Sequence, residues 1–381
     1  QTTCNDVRKQ PYQVVFKAED DGMLGGSAAP LVALESWLIT VVAPPPQNVT
    51  IQTVGNDIEV SWDNPYTCAS GDNFIGFSVW RRIGSNPFVP DNCDIGLAGR
   101  GYTKIADELL DYTFLDSTAE AGNTYCYRIL AEFAETSNAG LFYNRTESLP
   151  SAEVCAELAI DVPLITNVTV EITDSTSGEM TIRWLHPELS PDGLDTVQFP
   201  GPYEYRLRHS NDFTLQNPST IATFTANSFT GWNDTVFTHT GINTVSSAHS
   251  YQVQLFSQGN FLDASPVASS VFLSIFPGDA ELALSWKAVV PWQNTLYTVH
   301  KLDNQLGTYQ PLVSTADTFY VDDEVVNDST FCYFIETEGA YTAADVSSLL
   351  LINLSQEKCL SPTDTNAPCP PVLTVTNPCS Q

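Results

Sequence analysis

The chain is short of positive charge. Fifteen Lys and Arg residues stand against 45 Asp and Glu, a formal net charge of −30 over 381 residues. Nucleic acid and anionic membrane are excluded as partners, because either would be repelled. Long apolar runs are missing too: nothing approaches the roughly 18 residues that a membrane-spanning helix needs, so direct membrane insertion is not expected. Helical periodicity is almost absent. HExxH, GxSxG, P-loop and GxGxxG signatures are all lacking, and the chain is expected to be no enzyme. Close carboxylate pairs of the glycosidase kind occur in any sequence this acidic. Strand-rich modules of this size, however, usually lack the deep cleft a hydrolase needs. Histidine is scarce. His186, His209, His239, His249 and His300 stand apart, without the short spacing of metal sites built on one element, and read as structural or solvated. No charged and apolar leader stands at Gln1, and the expectation is a piece of a longer chain.

What is present describes a globular chain of several domains. Hydrophobic residues make up 43%, and the length suits two to four domains of roughly 100 to 150 residues. Nine cysteines point to an oxidising compartment. Nine is odd, so at least one partner is missing.

An apolar-x-apolar-x-Trp strand recurs three times, as IEVSW at 58–62, MTIRW at 180–184 and LALSW at 282–286. Trp62, Trp184 and Trp286 lie 122 and then 102 residues apart, a period of whole β domains. A second strand follows each one: TYCYRILAEF at 124–133, HSYQVQLFSQ at 249–258 and TFCYFIETEG at 330–339. Tyr125, Tyr251 and Phe331 are matched as their opening aromatics. Short alternating runs fill the intervals, broken by Pro, Gly, Asn and Asp. The reading is all-β, each repeat a sandwich of roughly 100 residues, with a short helical turn admitted at DELLDY, 107–112. The first two repeats carry about twenty residues more than the third between tryptophan and aromatic.

In TYCYRI the alternation turns Tyr125 and Tyr127 inward, so Cys126 faces outward and needs a partner. Cys155 and Cys359 follow Cys126 and Cys332 near the ends of their repeats. If those ends are the neighbouring last strands, each pair can bridge, and the second repeat has lost both members together. Cys68 and Cys93 are expected to pin the enlarged connection between them. Cys369 and Cys379 are left near the C-terminus, while Cys4 is left without a partner inside the piece.

The tryptophan and tyrosine strands resemble fibronectin type III modules over residues 45 to 360. Trp62, Trp184 and Trp286 match one strand of that family and Tyr125 and Tyr251 another, while Phe331 departs from it by losing the hydroxyl. The resemblance implies tandem fibronectin-type-III-like (immunoglobulin-like) β-sandwiches. Their boundaries are 45–158, 159–274 and 275–365. Residues 1–44 resemble the last part of an immunoglobulin- or cadherin-like domain, and 366–381 the start of a further module. The stretch GFSVWRRIGSNPFVPDNCDIGLAGRGYTKIAD is similar to large surface proteins of gliding bacteria exported by the type IX secretion system, although their C-terminal sorting domain is absent here.

Two acidic turns have calcium-ligand chemistry, Glu19, Asp20 and Asp21, and Asp322, Asp323 and Glu324, though solvated turns account for them as well. No other cofactor is expected. Trp80, Trp232 and Trp292, read as exposed with Asn or Asp nearby, are candidate glycan contacts, with edge packing as the plain alternative. Sequons stand at Asn48, Asn144, Asn167, Asn233, Asn327 and Asn353. The functional expectation is a non-enzymatic extracellular stalk or adhesin segment on a bacterial surface. Its expected partners are other domains of the same chain, cell-surface or outer-membrane proteins, and glycans. The alternatives are a carbohydrate-binding accessory region of a polysaccharide-degrading enzyme and a component of an outer-membrane secretion or gliding complex.

Overall fold

The computed structural model describes residues 3–19, 32–69, 71–91, 95–189 and 193–364. Apart from one 3-10 turn at Cys4–Asp6, every helix or strand among them is a β-strand. Strands β1 (Tyr12–Glu19) and β2 (Val32–Ile39) pair antiparallel as a ribbon of their own. The chain divides into two compact units, Gln1–Ala159 with Thr342–Ala344, and Ile160–Tyr341 with Asp345–Gln381.

The first unit holds one sandwich. Its strands are β3 (Gln47–Val54), β4 (Asp57–Asp63), β5 (Phe74–Ile83), β6 (Thr103–Leu109), β7 (Thr113–Asp116), β8 (Thr124–Thr136), β9 (Phe142–Glu147) and β10 (Val154–Glu157). One sheet runs β3-β4-β7; the other runs β10-β8-β5-β6, with β9 also on β8. Alternation places Ile58, Val60 and Trp62 of β4 against Phe77, Val79, Tyr127 and Ile129 in one core. Each large side chain fully withdrawn from water there contributes about 1.5 to 3 kcal/mol. The segment expected to form a helical turn at 107–112 instead finishes β6.

Strand β8 is buried on both faces, contrary to the simple alternation. Phe88, Leu97 and Tyr102 come over its outer face, where they pack on Leu130 with Trp80. Arg128 is buried in that layer, its guanidinium over the Phe88 ring at 4.1 Å and bonded to the Ser151 carbonyl at 2.6 Å. Residues expected to belong to a preceding domain also join this sandwich. Val7 enters its core, and the Asn73 amide donates to the carbonyls of Asn5 at 3.1 Å and Val7 at 3.3 Å.

The second unit holds two sandwiches of the same order. One has β11 (Leu164–Ile172), β12 (Gly178–Leu185), β13 (Tyr203–Ser210), β14 (Ser219–Ala226), β15 (Val236–Ile242), β16 (Ser250–Ser257), β17 (Asn260–Ala264) and β18 (Ala268–Ser269). Its sheets run β11-β12-β15 and β14-β13-β16-β17, with β18 also on β16. The other has β19 (Phe272–Pro277), β20 (Leu282–Lys287), β21 (Gln293–Asp303), β22 (Thr308–Thr315), β23 (Phe319–Asp322), β24 (Phe331–Ala340), β25 (Leu351–Leu354) and β26 (Lys358–Leu360). Its sheets run β19-β20-β23 and β22-β21-β24-β25, with β26 also on β24.

Only Ser270 and Val271 separate β18 from β19, and both are buried at 2% exposure. Strand β19 therefore starts at Phe272 and crosses the boundary expected at 274/275. Along β11, the Val168 amide donates to Asn353 Oδ1 at 2.8 Å, and the Leu354 amide donates to Thr169 Oγ1 at 2.9 Å. A side chain of each sandwich thus satisfies a main-chain N–H of the other without a spacer.

Candidate functional site

Each sandwich places a polar trio at one equivalent position in its core. In the first, Arg81 of β5 lies opposite Tyr127 of β8, and Asp116 of β7 opposite Ile58 of β4. Asp116 is 2% exposed and accepts bonds from Tyr127 Oη and from an Arg81 guanidinium N–H, each at 2.7 Å. In the third, Lys301 lies opposite Tyr333 and Asp322 opposite Leu282. Lys301 Nζ stands 2.6 Å, and Tyr333 Oη 2.7 Å, from Asp322 Oδ2. A buried carboxylate is tolerable here because a cation and a hydroxyl satisfy it together.

The second sandwich replaces both charges with histidine. His209 takes the place of Arg81 and Lys301, opposite Tyr251, and His239 takes the place of the aspartates, opposite Met180. His239 Nδ1 and Tyr251 Oη lie 2.9 Å apart. A third imidazole, His249, contacts His209, with 2.9 Å between His209 Nε2 and His249 Nδ1. His209 and His249 stack at a 5.2 Å centroid distance, and the His239 ring meets His209 edge-on at 4.6 Å. Burial, then the neighbouring imidazoles, hold His209 down to about 3. Burial, followed by His249, holds His239 down to about 4, and His249 is lowered mainly by burial. These histidines looked isolated because 30 and 10 residues separate them in sequence; pairing of β13 with β16, and the packing of β15 in the facing sheet, assemble them.

The same registers place the opening aromatics. Tyr251 is the counterpart of Tyr127 and Tyr333, two residues on from the match made to Tyr125 and Phe331, whose position His249 occupies. Tyr125 Oη accepts from the Glu120 amide at 3.1 Å.

Among the described residues three disulfides are formed. Cys126 bridges Cys155 and Cys332 bridges Cys359, each between directly paired residues of neighbouring strands. Ser250 and Ser269 pair at that register in the second sandwich, so both members of the bridge are serine there. Cys68 bridges Cys4 rather than Cys93, because the N-terminal segment packs beside it. Cys4 therefore has its partner within the chain, while Cys93, Cys369 and Cys379 lie outside the described residues.

The other expected sites separate differently. Trp232 and Trp292 are 7% and 4% exposed. Trp232 stacks on Tyr205 at 4.3 Å and donates its indole N–H to Asp234 at 3.2 Å. Trp292 packs on Tyr341, and half-buried Trp80 lies in the layer over β8 under Lys104. None offers an open ring face as expected, because each ring packs against its own sandwich, Trp232 on Tyr205, Trp292 on Tyr341 and Trp80 in the layer with Phe88 and Leu97. Of the acidic turns, Asp20 and Asp21 lie outside the described residues, and Glu19 pairs with Lys17 at 2.6 Å. Asp322 is buried in its trio while Asp323 and Glu324 are exposed, so the three do not form one cation site. Among the sequons, Asn353 is buried at 2% and holds the Val168 amide.

No protein-family model matches the chain, and no curated protein matches it. Among solved structures, the chain is similar to the FN1-FN3 domains of chicken CNTN1 at 12% identity. The match covers 84% of this chain and 99% of that one, with a TM-score of 0.20. The strand order carries the fold: a three-stranded sheet faces a larger one, with the tryptophan strand central to the first and the tyrosine strand in the second. The sandwiches are fibronectin-type-III-like. The chain is an all-β tandem of them, and its disulfides fit an oxidising, extracytoplasmic setting.

The first fibronectin-type-III-like sandwich has a defined acid limit. Burial raises Asp116, but bonds from Tyr127, Thr118 and Arg81 outweigh it and leave its carboxyl below the ordinary 3.8. A depressed carboxylate stabilises above its unfolded value, and that stabilisation is lost as pH falls through the folded one. The Asp116 contribution is expected to stay constant from pH 7 to about 5 and then to fall by at most about 1.4 kcal/mol per pH unit. Hydrogen exchange of β8 peptides against pH checks this, with Asp116→Asn removing the response.

Proposed function

We propose that the chain is a non-enzymatic, extracellular stalk or adhesin segment of a bacterial cell-surface protein of the gliding-associated, type IX-secreted kind. The supporting observation is the join between the second and third sandwiches, where two buried residues replace a linker and side chains of each module hold the other's backbone. A spacer that must transmit tension benefits from such a join, and cross-strand disulfides limit how far the first and third modules extend. Other domains of the parent chain, outer-membrane proteins and glycans are the proposed partners. The carbohydrate-binding reading has lost its aromatic platforms, since Trp232 and Trp292 are buried.

Single-molecule pulling of the chain in oxidising and in reducing buffer tests the reading. Each cross-strand bridge closes 29 or 27 residues, so reduction should lengthen the corresponding unfolding step by about 90 to 100 Å at ~3.4 Å per residue. The expected result is high unfolding force with bridge-limited extension. Unfolding forces no higher than those of the reduced chain, or hydrolysis of a polysaccharide by the purified chain, would overturn it.

A further inference from the structure

We propose that the second sandwich is an acid-responsive element: its triple-histidine cluster, with His209 and His249 buried and His239 partly so, is stable only while neutral, and protonation opens this module ahead of its neighbours. The geometry carries the argument. His249 Nε2 lies 2.8 Å from the Asn243 carbonyl, which accepts only, so His249 carries its proton on Nε2 and leaves Nδ1 as acceptor. His209 Nε2, 2.9 Å from that acceptor, must be the donor. Tyr251 Oη can donate to His239 Nδ1, which makes all three imidazoles neutral.

The contact between His209 and His249 can hold one additional proton, taken up at His209 Nδ1 while its Nε2–H still donates to His249 Nδ1. A second proton puts two N–H donors face to face at 2.9 Å, with the His239 ring a further 4.6 Å away. The surroundings offer little compensation. Met180 faces the cluster from β12, Tyr251 from β16 and the Asn243 carbonyl from the turn after β15. Asp212, after β13, is the carboxylate acting on His209, and its oxygens already accept from Ser210 Oγ and the amides of Thr214 and Gln216. The corresponding positions of the first and third sandwiches hold an arginine–aspartate and a lysine–aspartate pair, each a cation bonded directly to a carboxylate. The module also lacks the cross-strand disulfide that locks the other two.

The sign follows from proton uptake. Unfolded histidines bind protons below about pH 6.5, so a fold that keeps them neutral weakens as pH drops through that value. With one proton shared, two remain in excess for the open state. The opening equilibrium of the second sandwich should then rise by a hundredfold or more between pH 7 and pH 5.

Hydrogen–deuterium exchange on the whole chain, corrected for intrinsic rates, reads each sandwich separately. The expected result is lost protection in β12, β13 and β16 peptides on acidification, while β5, β8, β21 and β24 stay protected. Grafting the third sandwich's residues at all three positions, His209→Lys with His239→Asp and His249→Phe, should abolish the acid response. Should that variant fail to fold, His239→Asn, which leaves His209 and His249 to share their proton and removes one excess proton, should reduce it about tenfold. Protection in the second sandwich that changes less than threefold from pH 7 to 5, or an undiminished response in a folded variant, would overturn the proposal. The wild-type comparison decides alone if neither variant folds.

Discussion

Replacing Asp322 with alanine is expected to destabilise the third sandwich by about 3 to 5 kcal/mol, the usual consequence of removing one partner from a buried ion pair. Asp322 is 1% exposed and accepts from Lys301 Nζ at 2.6 Å and Tyr333 Oη at 2.7 Å. Alanine leaves the ammonium beside the Phe331 and Tyr333 rings, 4.7 and 5.8 Å from their centroids, with no counter-charge there. The loss should appear as faster exchange in β20, β21 and β24. Replacing both partners with apolar residues, Asp322→Leu with Lys301→Met, should recover most of it, because two desolvated charges are then removed together. A single variant within about 1 kcal/mol of the parent would mean that Lys301 reaches water without strain and that the pair is not needed.

The second large effect concerns the bridge that two sandwiches have and one lacks. Replacing Cys126 and Cys155 with alanine should cost the first sandwich about 3.5 kcal/mol in the chain-entropy picture, for a loop of 29 residues. The reverse change is the sharper test. Ser250 and Ser269 stand at the paired register of the other bridges, 19 residues apart in sequence. Ser250→Cys with Ser269→Cys should form a disulfide and stabilise the second sandwich. The gross entropic gain is about 3 kcal/mol, less roughly 1 kcal/mol for each lost serine bond. Those bonds come from the Leu215 amide to Ser250 Oγ and the Val289 amide to Ser269 Oγ. Non-reducing peptide mapping detects the bridge, and exchange against urea measures the gain. Failure to oxidise would show that the serine pair lacks the geometry of its cysteine counterparts.

Both effects trace to features that local sequence reveals unequally. A two-residue alternation decides which side chains share a face, so the tryptophan strands, the later aromatic strands and the cross-strand cysteines were legible from spacing, while the register that makes Tyr251 the counterpart of Tyr127 and Tyr333 was not. Cys126 and Cys155 could be paired because adjacent strands bring their outward positions together. The same logic failed for Cys68, whose partner Cys4 comes from a segment with no periodic signal, and for Trp232 and Trp292, which pack on Tyr205 and Tyr341. Burial on the outer face of β8 was equally hidden, since Phe88, Leu97 and Tyr102 return to it from outside the strand pattern.

By itself, the sequence determined an all-β chain, three repeats, their core faces and two of the disulfides. Each depends on short-range periodicity repeated three times. The tertiary structure alone decided which residue completes each buried polar trio, since its members come from three separate strands. One trio is arginine, aspartate and tyrosine; another is lysine, aspartate and tyrosine. In the second sandwich, histidines at 209 and 239 take those places and His249 joins them. Whether two side chains meet is set by strand register across sheets, and a residue's chemistry in the core is set by what it meets there.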